Sequence, residues 1–247
     1  MSDLIYITSR KLPSTEANSV NSLKMCNSFS KLGISVNIFC DLVNSDINIF
    51  KLKYGVSEKL KFNNSRLFPK SSFRIINFAL RLACDFFLSY KLNRDNCNFI
   101  FSRNIYSLLM LKRVRFSLEL HKPPKSFFEK IIFRLIFERP NCSKVICISD
   151  SLRNIIVKDY PTLSKNKLLV CHDGAEKFKD NKFIRQNSRT RVAYAGSLYK
   201  GRGLGIIKRM AEKFSNTIFI IIGGERDGFN YEHKNIFHIP FVAHSRV

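Results

Sequence analysis

The chain has 247 residues, 45% of them hydrophobic, enough for one large domain or two modest ones. Lys and Arg number 42 against 19 Asp and Glu, a formal net charge of +23. That balance reads either as a soluble protein with an unusually basic face or as a sign of an anionic partner: nucleic acid, acidic lipid or a phosphorylated small molecule. No zinc finger, RRM-like aromatic motif or basic recognition helix is visible, so lipid and phosphate ligands rank ahead of nucleic acid. The seven cysteines are odd in number and form no CxxC pair, and Cys40, Cys147 and Cys171 sit in apolar runs. They read as free thiols in a reducing, cytoplasmic compartment. The five histidines lack zinc-like spacing, so no metal site is expected. The N-terminus is not a signal peptide, and no apolar run approaches the ~18 residues of a membrane span.

In chain order, "LIYITS" (4–9) reads as a buried strand. "SVNSLKMCNSFSKLG" (19–33) has helical spacing with a glycine stop, and "SVNIFCD" (35–41) is the next strand. Strand, helix and strand within about 40 residues make a βαβ unit, and hence a parallel sheet. A long amphipathic helix follows at 72–92, then strands at 98–104 and 115–121, the second ending in His121. A helix at 125–140 stops near Pro140, and a strand at 144–149 leads into a helix to about Tyr160. A strand at 167–176 breaks at Asp173-Gly174. This alternation predicts an α/β fold with a doubly wound sheet over residues 1–180. The polar, basic stretch 177–191 marks a linker, placed at 181–190. Residues 191–247 then begin a second βαβ: strand 192–197, helix 203–214, strand 217–224 and a further strand at 235–241.

The loop "GSLYKGRG" joins the strand at 192–197 to the next helix. Glycines between a parallel strand and a helix expose backbone N–H groups beside a positive helix end, which is an anion site. Two nucleotide fingerprints fail here. Gly196 and Gly201 have P-loop spacing, but Arg202-Gly203 stand where Lys-Ser/Thr is needed. Gly201, Gly203 and Gly205 miss the dinucleotide spacing. The first βα turn, "SRKLPSTEANS", contains no glycine, which argues against NAD there. What remains is a loop whose cations, Lys200 and Arg202, can clamp a diphosphate, or else a tight turn with solvated basic residues.

Several stretches, in order, resemble glycosyltransferases of the GT-B fold, family 4: "KLGISVNIFCD", "FIFSRN", "LELHKPP", "VICISDSLRNII", "LLVCHDGAE", "AYAGSLYKGRG" and "IFIIIGG". The resemblance spans essentially the whole chain. It implies a GT-B type fold, with a Rossmann-like N-terminal domain on the acceptor side and a second Rossmann-like domain on the donor side. It implies retaining transfer of a sugar from a nucleotide-sugar donor to a glycan or lipid-linked acceptor, in surface polysaccharide or lipopolysaccharide assembly, with no metal or other cofactor.

By this resemblance His121 contacts the donor sugar as the catalytic-site histidine. Gly196, Lys200, Gly201 and Arg202 hold the donor diphosphate, and Arg103 and Ser149 fall at strand tips near the cleft. The family often has an arginine directly after the first loop glycine, where this chain has Ser197. The family's pair of glutamates separated by seven residues is expected beyond Val247, and Glu225 and Glu232 do not match it. The resemblance therefore implies an incomplete second domain, with transfer impaired alone or restored by a partner chain.

The helix at 126–138 carries Phe127, Phe128, Ile131, Ile132, Leu135 and Ile136 interleaved with Lys130 and Arg134. It suits either a core face or an anionic membrane surface, the latter making the protein peripheral on the inner face of the membrane. The alternative to an enzyme is a non-catalytic basic module that binds anionic lipid or nucleic acid.

Overall fold

Strand β1 (Leu4–Leu12) organises the first part of the chain, because its side chains alternate between two separate cores. Leu4 and Tyr6 enter one core with Leu23, Ile38 and Leu60. Ile5 and Ile7 enter the other with Ile100, Phe116, Phe133 and Ile156. A strand buried on both faces needs helices on both sides, which is the doubly wound arrangement. The computed structural model describes residues 3–14, 16–43, 47–56, 59–67, 72–94, 98–174, 189–199, 201–224, 233–240 and 242.

The chain divides into two compact units, Met1–Ala175 and Glu176–Val247. In unit 1, β1 is followed by α1 (Ala17–Lys31), β2 (Val36–Leu42), α2 (Ile47–Tyr54) and β3 (Lys61–Asn64). Next come α3 (Arg74–Leu92), β4 (Phe99–Ser102), β5 (Phe116–Leu120) and α4 (Phe127–Phe137). The unit closes with β6 (Cys142–Cys147), α5 (Asp150–Asp159) and β7 (Leu168–Val170). Seven parallel strands pair in the order β3-β2-β1-β4-β5-β6-β7. The order reverses between β1 and β4, and the carboxyl ends at such a switch point open a crevice.

Unit 2 contains β8 (Arg191–Ala195), α6 (Leu204–Lys213), β9 (Ile218–Ile222) and β10 (Ile236–Ile239), a parallel sheet in the order β10-β9-β8. Leu198, Leu204 and Ile221 form its small core. Asn235 is buried, and its amide reaches the carbonyls of Ala211, Phe214 and Thr217 at 2.9 to 3.1 Å. One side chain thus ties the C-terminal end of α6 to the turn that leads into β9.

Several boundaries differ from the sequence expectations. β1 runs on to Leu12, with a register shift between Ile7 and Lys11 against β2. α2 and β3 lie in a stretch where polar residues obscure the periodicity. β7 ends at Val170, and Cys171 to Gly174 are irregular. The expected linker at 181–190 falls almost wholly outside the described residues. α4 is shorter than 125–140, because a capping box fixes its start: Ser126 Oγ accepts from Glu129 N, and Glu129 accepts from Ser126 N.

Candidate active site

A cavity of about 530 Å³ opens at the carboxyl ends of β1, β4 and β5, beside the switch point of unit 1. Its floor is a three-residue charge cluster. β5 and the residue after it read "SLELH", so Glu119 and His121 are two residues apart, and His121 Nε2 reaches the Glu119 carboxylate. Arg103 follows β4, and its backbone N–H is pinned to Ile7 O at 3.0 Å, which fixes its position beside β1. Arg103 Nε lies 3.3 Å from Glu119 Oε1, with the two side chains 9% and 6% exposed. His121 Nε2 is hydrogen-bonded to the same Oε1 and also abuts Arg103 Nη2. Arg103 Nη1 donates to Ser22 Oγ at 2.7 Å, tying the cluster to α1.

A buried carboxylate survives only with such partners. Here the guanidinium neutralises Glu119, and Glu119 in turn orients His121. Asp173 brings a third metal-capable side chain within 4.8 Å of Glu119 and His121, and its Oδ1 accepts from Asn21 Nδ2 at 3.0 Å. Glu119 is already engaged by Arg103, so a cation here would compete with a guanidinium for the same oxygen.

The cavity wall is polar on one side and aromatic on the other. Asp85 of α3 is buried, and its Oδ1 accepts from Asn104 Nδ2 at 2.7 Å, whereas Oδ2 has no protein partner. Burial raises the Asp85 carboxyl above the usual carboxylate range, opposed by the Asn104 hydrogen bond and nearby Arg81. Arg81 Nη2 donates to Ser9 O at 2.5 Å, bracing α3 against the end of β1. Phe78 and Tyr106 meet edge to face at 6.2 Å between ring centroids. Arg10 and Lys122 complete a basic rim.

The sequence-predicted residues fare differently. Arg103 and His121 come together in the cavity. Ser149 is the N-cap of α5: its Oγ accepts from Leu152 N at 3.2 Å, so its hydroxyl closes a helix end, and it does not line the cavity. Glu119, Asp85 and Asn104 were missed. Each is a polar residue inside an apolar segment, in "FSLELH", "ACDFF" and "FSRNIY", and that incongruity was the available signal.

In unit 2, Gly196, Gly201 and Arg202 belong to the loop between β8 and α6, and Lys200 lies outside the described residues. Gly196 N donates to Ile222 O at 2.9 Å, which seats the loop on β9. The tips of β8 and β9 touch so closely that a Cβ on Gly223 would lie 2.0 Å from Gly196 O. Gly203, at φ +82°, is the N-cap of α6, a left-handed conformation that favours glycine. Arg202 is exposed, and its guanidinium stacks over the Tyr199 ring at 4.6 Å, which restricts it at the mouth of the loop. The loop thus offers a cation and helix-end N–H groups to an anion.

No protein-family model and no curated protein sequence matches the chain. Solved structures do. A glycosyltransferase from Rickettsia africae ESF-5 aligns with TM-score 0.65 at 9% identity, over 97% of this chain and 68% of its own length. WaaG, a glycosyltransferase involved in lipopolysaccharide biosynthesis, aligns with TM-score 0.61 at 12% identity, over 97% of this chain and 70% of its own. A mutant of S. aureus TarM in complex with fondaparinux, alpha-GlcNAc-glycerol and UDP gives TM-score 0.70 at 9% identity, over 98% of this chain and 78% of its own. Likeness at such identities speaks for the fold and leaves the activity to the site itself. The chain has the GT-B type of α/β fold, a doubly wound Rossmann-like unit followed by a second Rossmann-like unit.

Proposed function

We propose that the protein transfers a sugar from a nucleotide-sugar to a glycan or lipid-linked acceptor, with retention of configuration, in surface polysaccharide or lipopolysaccharide synthesis. The observation that carries this reading is the Arg103–Glu119–His121 cluster on the floor of a sugar-sized cavity, at the switch point of a GT-B type sheet. Cleaving a sugar–phosphate bond leaves negative charge on the departing diphosphate. Fixed N–H dipoles and cations stabilise that charge without reorganising. The unit 2 loop has both, in Arg202 and the start of α6, with Lys200 as a further cation in the same sequence. His121, oriented by Glu119, is the group for the donor sugar. The Phe78–Tyr106 pair offers an apolar face to a sugar ring.

The test is transfer itself. The protein is incubated with UDP-, GDP- and ADP-sugars and a bacterial lipid extract, and products are sought by mass spectrometry. The expected result is one hexose-class mass added from one donor, lost in His121→Ala. The basic binding-module alternative is tested in parallel by salt-titrated DNA binding. Steeply salt-dependent DNA affinity without transfer from any donor would replace the enzyme reading.

A further inference from the structure

Asp85, Ser89, Ser102, Asn104 and Ser107 are packed together between α3 and the tip of β4, each between 0 and 6% exposed. Burying so many polar groups costs stability unless they pair, and apolar side chains would fill the space with less penalty. A paired network, in turn, rigidifies what it holds. The hydrogen bonds show what is held here. Asn104 is the hub: its Nδ2 donates to Asp85 Oδ1 at 2.7 Å, its Oδ1 accepts from Tyr106 N at 3.1 Å, and its backbone N donates to Ser102 Oγ at 2.9 Å. Ser102 Oγ and Ser107 Oγ both lie 2.9 Å from Asn104 O. Ser89 Oγ lies 2.6 Å from Ser107 O and 2.8 Å from Asp85 O. Asp85 and Ser89 are four residues apart on α3, so one face of that helix grips the segment twice.

Arg103 stands in the middle of this segment. Ser102 before it and Asn104 after it both belong to the network, and its own N–H donates to Ile7 O at 3.0 Å. The backbone is therefore fixed on both sides of Arg103. Its long side chain starts from one place to reach Glu119 Oε1 at 3.3 Å and Ser22 Oγ at 2.7 Å. Arginine has much rotamer freedom to lose, so a fixed starting point matters more for it than for a short side chain. β4 also runs into a 3-10 turn (Tyr106–Leu108), where a full helix would have supplied that rigidity. We infer that Asn104, anchored by Asp85 of α3, is a positioning residue that sets Arg103, and through it Glu119 and His121, in the cavity. Both polar atoms of the Asn104 side chain are engaged within the protein, so it acts through Arg103. Its use in transfer rests on the reading above, but the positioning is measured with neither donor nor acceptor, so the two can fail separately.

The experiment is nitrogen-15 NMR of the full chain, reading the Arg103 Nε–H resonance, which is assigned by its absence in Arg103→Lys. In the wild type it is expected apart from the solvated arginines and slow to exchange with water, because the side chain is buried against Glu119. In Asn104→Ala and in Asp85→Leu it is expected to move to the position of solvated arginines and to exchange on the order of tenfold faster. Asp85→Asn keeps an acceptor for Asn104 Nδ2 and is expected to keep the wild-type resonance. Ser89→Ala is a milder change at the second grip and is expected to give a smaller displacement in the same direction, which serves if Asn104→Ala does not fold. Leu92→Ala, in the apolar core of the same helix, is expected to lower the melting midpoint without moving the resonance. An unmoved resonance in the Asn104, Asp85→Leu and Ser89 variants would overturn the inference. So would an equal displacement in Leu92→Ala, which would mean general loosening, or equal losses in Asp85→Asn and Asp85→Leu, which would mean that the hydrogen bond is not what holds Arg103.

Discussion

The two parallel sheets end their first strands in opposite ways. In unit 1 the turn after β1 has no glycine, and the charge at the strand tips is held by side chains, Arg103 buried against Glu119, with the half-buried His121 on the same carboxylate. In unit 2 the turn after β8 is glycine-rich, and polarity comes from backbone N–H groups with one exposed, ring-stacked arginine. A side-chain cluster is buried, costly to break and shaped for one orientation. A backbone loop is open, tolerant of its surface residues and intolerant of any Cβ where strands touch. The first suits orienting a sugar, and the second suits receiving a diphosphate.

The largest expected effect follows from that difference. Arg103→Ala leaves Glu119 buried without its cation and is expected to destabilise unit 1 by about 3–5 kcal/mol in denaturant titration. Arg202→Ala, at the surface of the other loop, is expected to stay within about 0.5 kcal/mol. Equal costs for the two arginines would erase the contrast. Next comes Gly223→Ala, whose Cβ would meet Gly196 O at 2.0 Å. It is expected to cost roughly 2–4 kcal/mol in unit 2, against little or no change for Gly174→Ala, where a Cβ meets nothing within 4 Å.

A smaller, pH-dependent effect is expected at Asp85. Burial raises its carboxyl in the folded protein above the unfolded value. The stability linked to holding that proton is therefore present below the unfolded carboxylate range and is lost as pH rises through the folded value. Asp85→Asn removes the titration, so its melting midpoint gains on the wild type as pH rises above the unfolded carboxylate value of about 4. A constant difference across that range would place Asp85 in a more solvated setting.

The smallest expected effect is chemical. Burial pushes the Cys40 thiol up to about 12 and those of Cys142 and Cys147 up to about 11, whereas Cys171 is exposed. In thiol labelling of the folded protein, Cys171→Ser is expected to lose one rapidly modified thiol, while the three buried ones react only on unfolding.

The sequence patterns expose some of this more readily than the rest. β1 opens on the apolar run "LIYI" and β2 carries "IFC", because parallel strands are covered on both faces, so these strands are plain in the sequence. β3, "KFNN", is a short edge strand with one partner and no apolar run to betray it. Arg103 and His121 stand at strand tips, and the family resemblance is what singles them out there. Glu119 needed the structure, because only the pairing of β4 with β5 shows that the residue after β4 brings a guanidinium to it. Ser149 shows the reverse hazard: a serine at a strand tip is also the usual N-cap of the following helix, and here the cap takes the hydroxyl.

The most direct test of the central claim, that the unit 2 loop receives a nucleotide-sugar diphosphate, is calorimetric titration of the protein with UDP, GDP and ADP. The account predicts saturable binding of at least one nucleoside diphosphate, weakened about tenfold in Arg202→Ala, as loss of a charge-assisted contact requires. No binding of any of the three, or binding indifferent to Arg202→Ala and abolished by Arg81→Ala in the unit 1 cavity, would contradict it.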